Sequence, residues 1–343
     1  MEKDVNVRKK AELILGGGVK LPNDFVFPYR ISRSTAGPGA GASSAVFSFA
    51  GHRVKKSISY ETGEFELAEK GNKLSLKRNG KTFIEDVKIE PVVFHSPEQA
   101  FFNLDQRCMY NCAFCVSPLL SKDLDKGLSD DEMVMMTKKA ASEQKIVSIA
   151  ITSGVIGSVD ETIERFVSCV SKFRKEFPEL PIGVEPYVSK KEHITALKDA
   201  GATEIKLNIQ SPSGTVFERV CPELDRDLII DMLSFSVDVF GRGKVTSNMI
   251  FGMGETDEEI EEMTELLCSM GVIPTFRALR ISPMNRKALV SAIGDLQSVN
   301  ADRMIELAGM QKEKLIRHGL DTRNCRTMCL ECGCCDLVPF RDL

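Results

Sequence analysis

The feature that most constrains the fold of this chain is a regular alternation, from Gln99 onward, of short apolar runs with longer segments of helical periodicity. Six runs have the length and composition of buried strands, namely QAFFNL, IVSIAI, PIGVEP, EIKLNIQ, KVTSNMIFG and TFRALRI. Helix-like segments lie at about 129–143, 160–176, 189–200, 223–240, 256–270 and 299–318. This order predicts an α/β protein with a parallel sheet, which is either a partial barrel or a doubly wound sheet. In both, active sites lie at the carboxyl ends of the strands.

The first 95 residues have a different character, which predicts a separate N-terminal module. Residues 4–17 have the pattern of a short helix, and a Pro-, Gly- and Ser-rich loop follows over residues 28–44. From residue 45 to 90, short alternating runs are broken by Gly or Asn-Gly, as in a small antiparallel sheet. We therefore predict a β-rich module at 1–95, the strand–helix region at 96–298, and a C-terminal helix with a cysteine-rich tail at 299–343.

Charge and hydropathy exclude several classes of protein. The 45 basic and 49 acidic side chains are dispersed and give a net charge of −4, so nucleic acid is not an expected partner. No stretch approaches the roughly 18 apolar residues of a membrane span, and the first 20 residues are too charged for a signal peptide. We therefore expect a cytoplasmic protein that does not bind membranes. Eleven cysteines in such a chain favour metal or redox chemistry over a disulfide scaffold.

Three of these cysteines stand as C-M-Y-N-C-A-F-C, directly after the first strand of the alternating region. They are Cys108, Cys112 and Cys115. A short loop with this spacing can wrap a cubic iron–sulfur cluster, and three thiolates leave one iron open to a substrate or cofactor. A zinc knuckle and a group of unreactive buried thiols are the alternatives, although zinc would need a fourth Cys or His, and none lies within about ten residues.

The C-x3-C-x2-C spacing after a first strand, with Phe114 before the last Cys, resembles the signature of the radical S-adenosylmethionine (SAM) superfamily. The resemblance implies a partial (β/α)6 TIM-type barrel and a [4Fe-4S] cluster whose open iron binds SAM. It also implies reductive cleavage of SAM to a 5′-deoxyadenosyl radical, with an electron from a protein such as ferredoxin or flavodoxin. The cofactor would supply the radical chemistry, while the protein positions it and excludes water.

Several strand ends carry residues that this resemblance assigns to SAM binding. Ile250, Gly252 and Glu255 form a pattern similar to the adenine-side motif of the superfamily, in which Glu255 is expected to hold the turn together. Asn208 and Gln210 alternate with apolar residues, so both should lie on one face of the fourth strand. The full set of candidate cofactor contacts is Phe114, Ser153, Gly154, Glu185, Asn208, Gln210, Ile250, Gly252 and Arg280. Plain strand-to-helix turns, a polar plug and a solvated arginine are the structural alternatives.

A second group of cysteines lies in the final segment, RNCRTMCLECGCCDLVPF and beyond, which has neither helical nor strand periodicity. Its members are Cys325, Cys329, Cys332, Cys334 and Cys335. One loop can present four of these thiols to an auxiliary [4Fe-4S] cluster or to a structural zinc ion, and a redox role is a third possibility. We expect the cluster, held by the first three members and one of the last two. The cysteines outside both groups are predicted to be buried structural thiols, and they are Cys169, Cys221 and Cys268.

The run FGMGETDEE is similar to the corresponding stretch of biotin and lipoyl synthases, and the resemblance extends over about residues 99–290. It implies hydrogen abstraction from an unactivated C–H bond and an auxiliary cluster that donates sulfur. Ordinary lipoyl synthases carry auxiliary cysteines before the radical motif, whereas this chain has none before Cys108. The chain is more similar to biotin-synthase-related proteins of archaea and anaerobes that act in pairs. We therefore predict sulfur insertion into an octanoyl chain on a lipoyl carrier protein, together with a second radical SAM protein.

Two other functions fit the same sequence. A radical SAM mutase, lyase or cofactor-maturation enzyme would use the tail only as a structural metal site, and it would not lose cluster sulfide on turnover. A non-catalytic electron-transfer protein with two clusters would not cleave SAM, although the strand-end segments at Ser153 and Gly252 argue against it. For the N-terminal module, docking of a substrate protein and closure of the barrel's open edge are equally consistent with the sequence.

Overall fold

Two sheets organise the chain, and they differ in strand direction: one is mainly antiparallel, and the other is parallel throughout. The computed structural model describes residues 2–29, 31–33, 42–93, 95–120, 127–296 and 298–343. Much of the predicted loop at 28–44 lies outside these residues. Among the described helices, none is long and apolar enough to cross a bilayer.

The N-terminal sheet follows a first helix, α1 (Glu2–Leu15), and consists of seven short strands. They are β1 (Val19–Lys20), β2 (Ser32–Arg33), β3 (Ser43–Phe49), β4 (His52–Ser59), β5 (Phe65–Lys70), β6 (Lys73–Arg78) and β7 (Lys81–Glu90). Their order is β2-β3-β4-β1-β5-β6-β7, and β3 also pairs with β7, so six of the strands close into a ring. Asn79 and Gly80 turn the chain between β6 and β7 with φ of 52° and 73°, as an Asn-Gly hairpin turn requires. The sheet is antiparallel as predicted, except at β1, which pairs in parallel with β4 and β5.

The parallel sheet is built from six strands. They are β8 (Gln99–Asn103), β9 (Ser148–Thr152), β10 (Ile182–Glu185), β11 (Glu204–Lys206), β12 (Val245–Phe251) and β13 (Val272–Ala278). Their spatial order is β13-β12-β11-β10-β9-β8, so each strand lies beside the next one in the sequence. A doubly wound sheet would reverse direction at a switch point, whereas a barrel adds strands in one direction. No pairing within the described part of the chain joins β8 to β13, and the sheet is therefore a partial (β/α)6 barrel.

Helices lie between successive parallel strands and after the last of them. They are α2 (Asp130–Glu143), α3 (Val159–Glu176), α4 (Lys191–Asp199), α5 (Gly214–Val220), α6 (Arg226–Phe240), α7 (Asp257–Met270), α8 (Arg286–Ile293), α9 (Ala301–Arg317) and α10 (Met328–Cys332). Capping boxes begin α2, through Ser129 and Glu132, and α7, through Thr256 and Glu259. The sequence did not predict α5, α8 and α10, because each has at most eight residues and is too short for a helical period to stand out.

Alternation along β8 shows which side of the barrel sheet faces the helices. Phe102 stacks on Phe173 of α3 with ring centroids 5.8 Å apart, so it points outward into an apolar core that is continuous with the N-terminal sheet. Gln99 and Phe101 alternate with it and therefore face the barrel interior. Both are buried, so another part of the chain covers them. That part is the cysteine-rich tail, residues 323–343.

The tail enters the barrel through its short helix α10. Met328 packs against Phe101, donates its N–H to Gln99 Oε1 at 2.7 Å and accepts from Gln99 Nε2 at 3.2 Å. A Cβ on Gly183 of β10 would lie only 2.1 Å from Thr327 Oγ1. A side chain at residue 183 would therefore collide with the tail. The barrel interior is filled by a segment that comes last in the sequence.

The N-terminal sheet and α1 contact the tail from the other side. Lys10 of α1 lies 2.7 Å from Asp342 Oδ2 and donates to the Gly333 carbonyl at 2.7 Å. His52 Nδ1 of β4 lies 2.7 Å from Asp342 Oδ1. Lys55, three residues along β4, donates its backbone N–H to the Cys334 carbonyl at 3.0 Å. The tail is therefore enclosed between the barrel and the N-terminal sheet.

Candidate active site

The loop with the first three cysteines lies at the carboxyl ends of β8 and β9. Cys108, Cys112 and Cys115 are half-buried and act electrostatically on one another, so the structure brings the three predicted thiols together. Val155 donates its N–H to Cys108 Sγ at 3.5 Å, and Met109 donates its N–H to the Val155 carbonyl at 2.7 Å. The segment after β9 thus supports the loop from one side.

Gly154 is packed against this loop so closely that no side chain fits. A Cβ there would lie 1.9 Å from the Arg107 carbonyl oxygen and 3.1 Å from Cys108 Cβ. The Gly154 N–H donates to the Asp105 carbonyl at 2.8 Å, and the Ser153 hydroxyl donates to the Gly154 carbonyl at 2.8 Å. Ser153 and Gly154, predicted as SAM contacts, therefore lie directly beside the cysteine loop.

A segment after α5 clamps the other side of the loop, and sequence reasoning missed it. Asn111 donates its backbone N–H to Glu223 Oε2 at 2.6 Å. Cys221 is hydrogen-bonded to the Cys112 side chain, and this contact, together with burial, raises the pKa of the Cys112 thiol. Cys221 is buried as predicted, but the fold places α5 beside the cysteine loop, and a contact of Cys221 with Cys112 was not predicted.

Asn285, a fully buried residue ahead of α8, joins the cysteine loop to the end of β13. Its side-chain amide donates to the Phe114 carbonyl at 2.9 Å and to the Arg280 carbonyl at 3.0 Å. Its side-chain oxygen accepts the Ser282 N–H at 2.7 Å. Phe114 and Arg280, two separately predicted site residues, are thus held by one side chain. An Asn in a loop gives no sequence signal for this role.

Arg280 is the predicted site residue with an unmet hydrogen-bonding group. Its Nη2 atom is buried, and it forms no hydrogen bond with any of the described residues. Its charge adds to burial in lowering the pKa of Lys55, and of Lys56 to about 7. A guanidinium whose buried Nη2 has no hydrogen-bond partner is suited to bind an anionic group of a cofactor or substrate.

Three polar side chains meet at the ends of β10 and β11. Glu185 Oε1 accepts from Asn208 Nδ2 at 2.7 Å and lies 3.0 Å from Lys206 Nζ. Asn208 Oδ1 accepts the Asn248 N–H at 3.1 Å. The structure thus joins Glu185 and Asn208, both predicted as cofactor contacts, and adds Lys206, which was not. The sequence could have indicated Lys206, because it lies two residues before Asn208 and therefore on the same strand face.

Gln210 departs from the predicted strand. Regular β11 ends at Lys206, and Gln210 has a φ of 63°, a left-handed conformation that an extended strand does not contain. Its N–H donates to the Asn248 carbonyl at 3.0 Å, and its carbonyl accepts the Ile250 N–H at 2.8 Å. The expectation that Asn208 and Gln210 lie on one face of a continuous strand is therefore wrong, because the strand ends before Gln210.

The turn after β12 is held by Glu255, as the sequence predicted. Glu255 Oε1 accepts the Gly252 N–H at 2.6 Å, and Oε2 accepts the Met253 N–H at 2.8 Å. Arg303 Nη2 lies 3.2 Å from Glu255 Oε1. Gly252 has a φ of 101°, and a Cβ there would meet a neighbouring side chain at 2.5 Å, so only glycine fits. The turn therefore presents bare backbone close to Ile250.

Cys329 of the tail reaches the side chains at the ends of β10 and β11 from inside the barrel. Lys206 Nζ lies 3.3 Å from Cys329 Sγ, and Arg277 Nη2 lies 3.2 Å from the same atom. Arg277 Nε also lies 2.8 Å from Asp336 Oδ1. Burial opposes the charge of Lys206, but Cys329 and Glu185 outweigh it and raise the pKa of Lys206. A tail thiol thus contacts a lysine that also contacts a predicted cofactor residue.

Four of the five tail thiols occupy one region between the barrel and the N-terminal sheet. We call them the inner thiols, and they are Cys329, Cys332, Cys334 and Cys335. Arg277 interacts electrostatically with the first and the last of them. Lys55 interacts with the last three. The Cys332 and Cys334 side chains are hydrogen-bonded, and this bond lowers the pKa of Cys332 to about 6.

Cys325 lies apart from the inner thiols, at the amino-terminal end of β11. Its Sγ donates to Glu204 Oε2 at 3.1 Å. The same carboxylate accepts the Thr327 hydroxyl at 2.6 Å and the Arg326 N–H at 3.0 Å. Burial and Glu204 raise the pKa of Cys325 well above its ordinary value. In the structure Glu204 holds Cys325 at the start of β11, so Cys325 has a different partner from the other members of the predicted ligand set.

The surroundings of the inner thiols fit a negatively charged group. Several cations act on these thiols, among them Lys55, Lys206 and Arg277, and the carboxylates that act on Cys329 are Glu185 and Asp336. A buried excess of positive charge is costly unless it is compensated, and metal-bound thiolates would compensate it. Within the described ranges, no three His, Cys, Asp or Glu side chains converge to hold a single metal ion. A cubic cluster distributes its thiolates over several irons, and both thiol groups supply the sulfur ligands that it takes.

The barrel region of this chain is similar in sequence and fold to known proteins. A model described as the Radical SAM superfamily matches residues 103–267. Biotin synthase from Geobacter sulfurreducens is 26% identical over 230 residues, which cover 61% of this chain and 66% of that protein. Lipoyl synthase from Buchnera aphidicola subsp. Schizaphis graminum is 24% identical over 184 residues, 53% of this chain and 56% of that protein.

A solved structure supports the fold. The FeFe-hydrogenase maturase HydG from Carboxydothermus hydrogenoformans has a TM-score of 0.54 and 18% identity, with 65% of this chain and 52% of that chain covered. The chain thus spans about two thirds or less of the length of each of these three proteins. The segment matched by the superfamily model includes the three-cysteine loop and the strands that support it. The chain therefore carries a radical SAM domain, and its sequence is similar to those of biotin and lipoyl synthases.

Proposed function

We propose that this radical SAM enzyme inserts sulfur from an auxiliary iron–sulfur cluster, held by the tail, into an unactivated C–H bond. The superfamily implies a [4Fe-4S] cluster and SAM, which when bound supply a 5′-deoxyadenosyl radical. Cys108, Cys112 and Cys115 would hold that cluster by three of its irons. The inner thiols would hold the source of sulfur.

The observation that carries this proposal is the position of Cys329, the inner thiol that contacts side chains of the barrel interior. Cys329 contacts Lys206, and Lys206 contacts Glu185, which is hydrogen-bonded to Asn208. Glu185 and Asn208 lie at strand ends proposed to bind SAM. One lysine therefore separates a tail thiol from the proposed cofactor site. A tail with a purely structural metal would have no need of this place in the interior.

The side chains around the interior bind and orient, and they keep water out. Glu185 and Asn208 offer an acceptor and a donor to the amino and hydroxyl groups of SAM. Gly252 offers bare backbone beside Ile250, where a flat base can approach. Arg280 offers its free Nη2 to a carboxylate of SAM or of the substrate. Because the tail and the N-terminal sheet close the interior, a radical formed there would be shielded from solvent.

The proposed substrate is an octanoyl chain attached to a lipoyl carrier protein. The similarity to a lipoyl synthase and to biotin synthases supports a sulfur-insertion reaction. The absence of any cysteine before Cys108 in this sequence supports a division of labour with a second radical SAM protein. A ferredoxin or flavodoxin is the proposed reductant, and an anaerobic, cytoplasmic setting suits both clusters.

We assign the auxiliary cluster to the four inner thiols and exclude Cys325. Each inner thiol interacts electrostatically with Lys55 or Arg277, whereas Cys325 is hydrogen-bonded to Glu204. This assignment differs from the set expected from spacing. A tetrathiolate zinc site would carry a similar charge, so the metal itself must be measured.

The test counts iron and acid-labile sulfide, under anaerobic conditions, in a variant with Cys108, Cys112 and Cys115 all changed to Ala. We expect about four irons per chain to remain, as one [4Fe-4S] cluster requires. In the same background, Cys325→Ser should retain this iron, and Cys329→Ser should lose it. Zinc in place of iron would contradict the proposal.

Turnover provides the second readout. In the unaltered enzyme, incubation with SAM, reductant, octanoylated carrier protein and the second radical SAM protein should consume sulfide from the tail cluster, with carbon–sulfur bond formation in the carrier. Cleavage of SAM with no loss of sulfide would instead favour a mutase, lyase or cofactor-maturation enzyme in which the tail metal is structural.

A further inference from the structure

A buried lysine of the N-terminal sheet lies against the inner thiols without a carboxylate partner. Lys55 is in the middle of β4 and only 6% exposed. Its Nζ donates to the His95 carbonyl at 2.7 Å and lies 3.2 Å from His95 Nδ1. The ion pairs formed within the described part of the chain do not include Lys55. An ammonium group buried without a counter-charge costs several kcal/mol.

The position of Lys55 is fixed by contacts on both sides of the tail. Its backbone N–H donates to the Cys334 carbonyl at 3.0 Å, and Val46 on the neighbouring strand packs against the Cys332 and Cys334 side chains. The His95 ring lies 4.7 Å from the ring of Phe101, which faces the barrel interior. The lysine is therefore held at the junction of barrel, tail and N-terminal sheet.

The charges around Lys55 come mainly from the tail. Burial lowers the pKa of Lys55, and Cys335, Cys332 and Cys334 oppose this effect, in that order of strength. His95 cannot compensate the ammonium, because burial, Lys55 and Arg277 lower the pKa of His95 and keep the ring neutral. The inner thiols are thus the neighbours that can supply negative charge, and they supply it fully when they bind a metal as thiolates.

We propose that Lys55 is a positioning residue of the tail cluster, whose ammonium compensates the negative charge of the metal-bound inner thiols and raises the reduction potential of the cluster. The inference rests on the proposed function, because it requires an iron–sulfur cluster in the tail. A nearby positive charge favours the reduced, more negative form of a cluster, and its removal lowers the potential. The N-terminal sheet then forms part of the cluster site, a role distinct from docking a substrate protein or closing the barrel edge.

The test uses the full chain with Cys108, Cys112 and Cys115 changed to Ala, so that the tail cluster alone is observed. Lys55→Met removes the charge at similar length, Lys55→Gln removes the charge but keeps a donor for the His95 carbonyl, and Lys55→Arg keeps the charge. Lys73→Met is the control, because Lys73 is 77% exposed and pairs with Asp86 on the surface of the same sheet. Circular dichroism confirms that each variant is folded.

The measurement is an anaerobic redox titration of the tail cluster, followed by electron paramagnetic resonance. A cavity of about 350 Å³ opens between the N-terminal sheet and the tail, and Cys332 lies in its wall, so soluble mediators can approach the site. We expect Lys55→Met and Lys55→Gln to disfavour reduction about tenfold, which is about 59 mV for a one-electron couple. Lys55→Arg and Lys73→Met should match the background variant.

Other results of the titration would also test the role of Lys55. Loss of iron in the Met and Gln variants but not in the Arg variant would support the inference, because assembly of the cluster would then need the charge. A potential unchanged in Met and Gln, or changed equally in Arg, would overturn it while leaving the proposed function intact. A background variant without tail iron would contradict the proposed function itself, and the Lys55 inference with it.

Discussion

Gly154 illustrates how a single position limits the geometry of the cysteine loop. The backbone of Arg107 passes so near that even a methyl group would overlap its carbonyl oxygen, at 1.9 Å. The loop that carries Cys108 can keep its present course only because residue 154 has no side chain. The glycine therefore acts on the cysteines through the backbone.

Gly154→Ala should displace the cysteine loop. Because a displacement of about 1 Å at a reacting group can cost on the order of a hundredfold in rate, we expect SAM cleavage to fall by about that factor. Gly309→Ala in α9 is the matched control, because no atom lies within 4 Å of its added Cβ. The measurement is 5′-deoxyadenosine formation with dithionite as reductant. Equal rates in the two variants would contradict the role given to Gly154.

Single residues differ in how far the sequence revealed them. The three loop cysteines were predictable from spacing alone, and Cys169 and Cys268 are buried in their helices as predicted. Lys206 could have been predicted from strand alternation. Lys55 could not, because two adjacent lysines in a strand give no sign that both are buried until a tail and a helix are packed against them.

At the scale of elements, the turn between β12 and α7 depends on one carboxylate. Glu255 binds two consecutive backbone N–H groups with its two oxygens and also contacts Arg303. The motif could be recognised in the sequence, because all of these partners except Arg303 lie within three residues of Glu255. Local hydrogen bonding of this kind is what short motifs encode.

Glu255→Gln should destabilise this turn. One of the two backbone N–H groups would face the amide NH2 of Gln, and a buried donor without a partner costs about 1–3 kcal/mol. Urea denaturation should show a loss of this size, and equilibrium dialysis should show weaker SAM binding. Glu258→Gln, on the exposed face of α7, provides the comparison and should leave both values unchanged. If the two substitutions behaved alike, the assigned role of Glu255 would be wrong.

Sequence periodicity predicted the strands and most of the helices. It did not always predict where they end. The fourth parallel strand was predicted to reach Gln210, and it ends at Lys206. The chain then turns through the left-handed residue Gln210 while remaining bonded to β12. Periodicity shows which residues are apolar. It does not show the turn at Gln210, because that turn depends on backbone pairing with a strand about 40 residues later.

At the scale of the whole molecule, α1 and β4 contact the tail through one buried carboxylate. Lys10 and His52 both bind the carboxylate of Asp342, and all three side chains are buried. Periodicity could not predict these contacts, because 332 residues separate Lys10 from Asp342 and neither residue belongs to a motif. For the same reason, sequence analysis could not predict that the tail is enclosed. It could predict the barrel around the tail, because the barrel strands and helices have a clear periodicity.

Asp342→Asn should destabilise the whole fold. The change leaves Lys10 buried opposite a neutral group, and breaking a buried pair in this way costs about 3–5 kcal/mol. The pH dependence has a defined sign. Burial opposes the charge of Asp342, but Lys10 and His52 outweigh it and lower its pKa. The stabilisation is therefore present above the unfolded pKa of a carboxyl group and is lost as the pH falls through the lower folded pKa.

Guanidinium unfolding between neutral and acidic pH checks this expectation. The Asp342→Asn variant should be less stable at neutral pH and should lose less on acidification than the unaltered protein. Asp302→Asn removes an exposed partner of Arg8 and should change little, which makes it a suitable control. A variant at Asp342 as stable as the control would show that the buried pair does not hold the tail.

The order of synthesis gives this arrangement a consequence for biogenesis. Helix α1, with Lys10, leaves the ribosome before the tail, and Asp342 follows Lys10 after 332 residues. Until then the inward face of the barrel, including Phe101, has nothing to pack against, so a nascent chain exposes it to chaperones and to aggregation. The proposed tail cluster can bind only after residues 325–335 have been synthesised, and docking of the tail then closes the barrel interior around it.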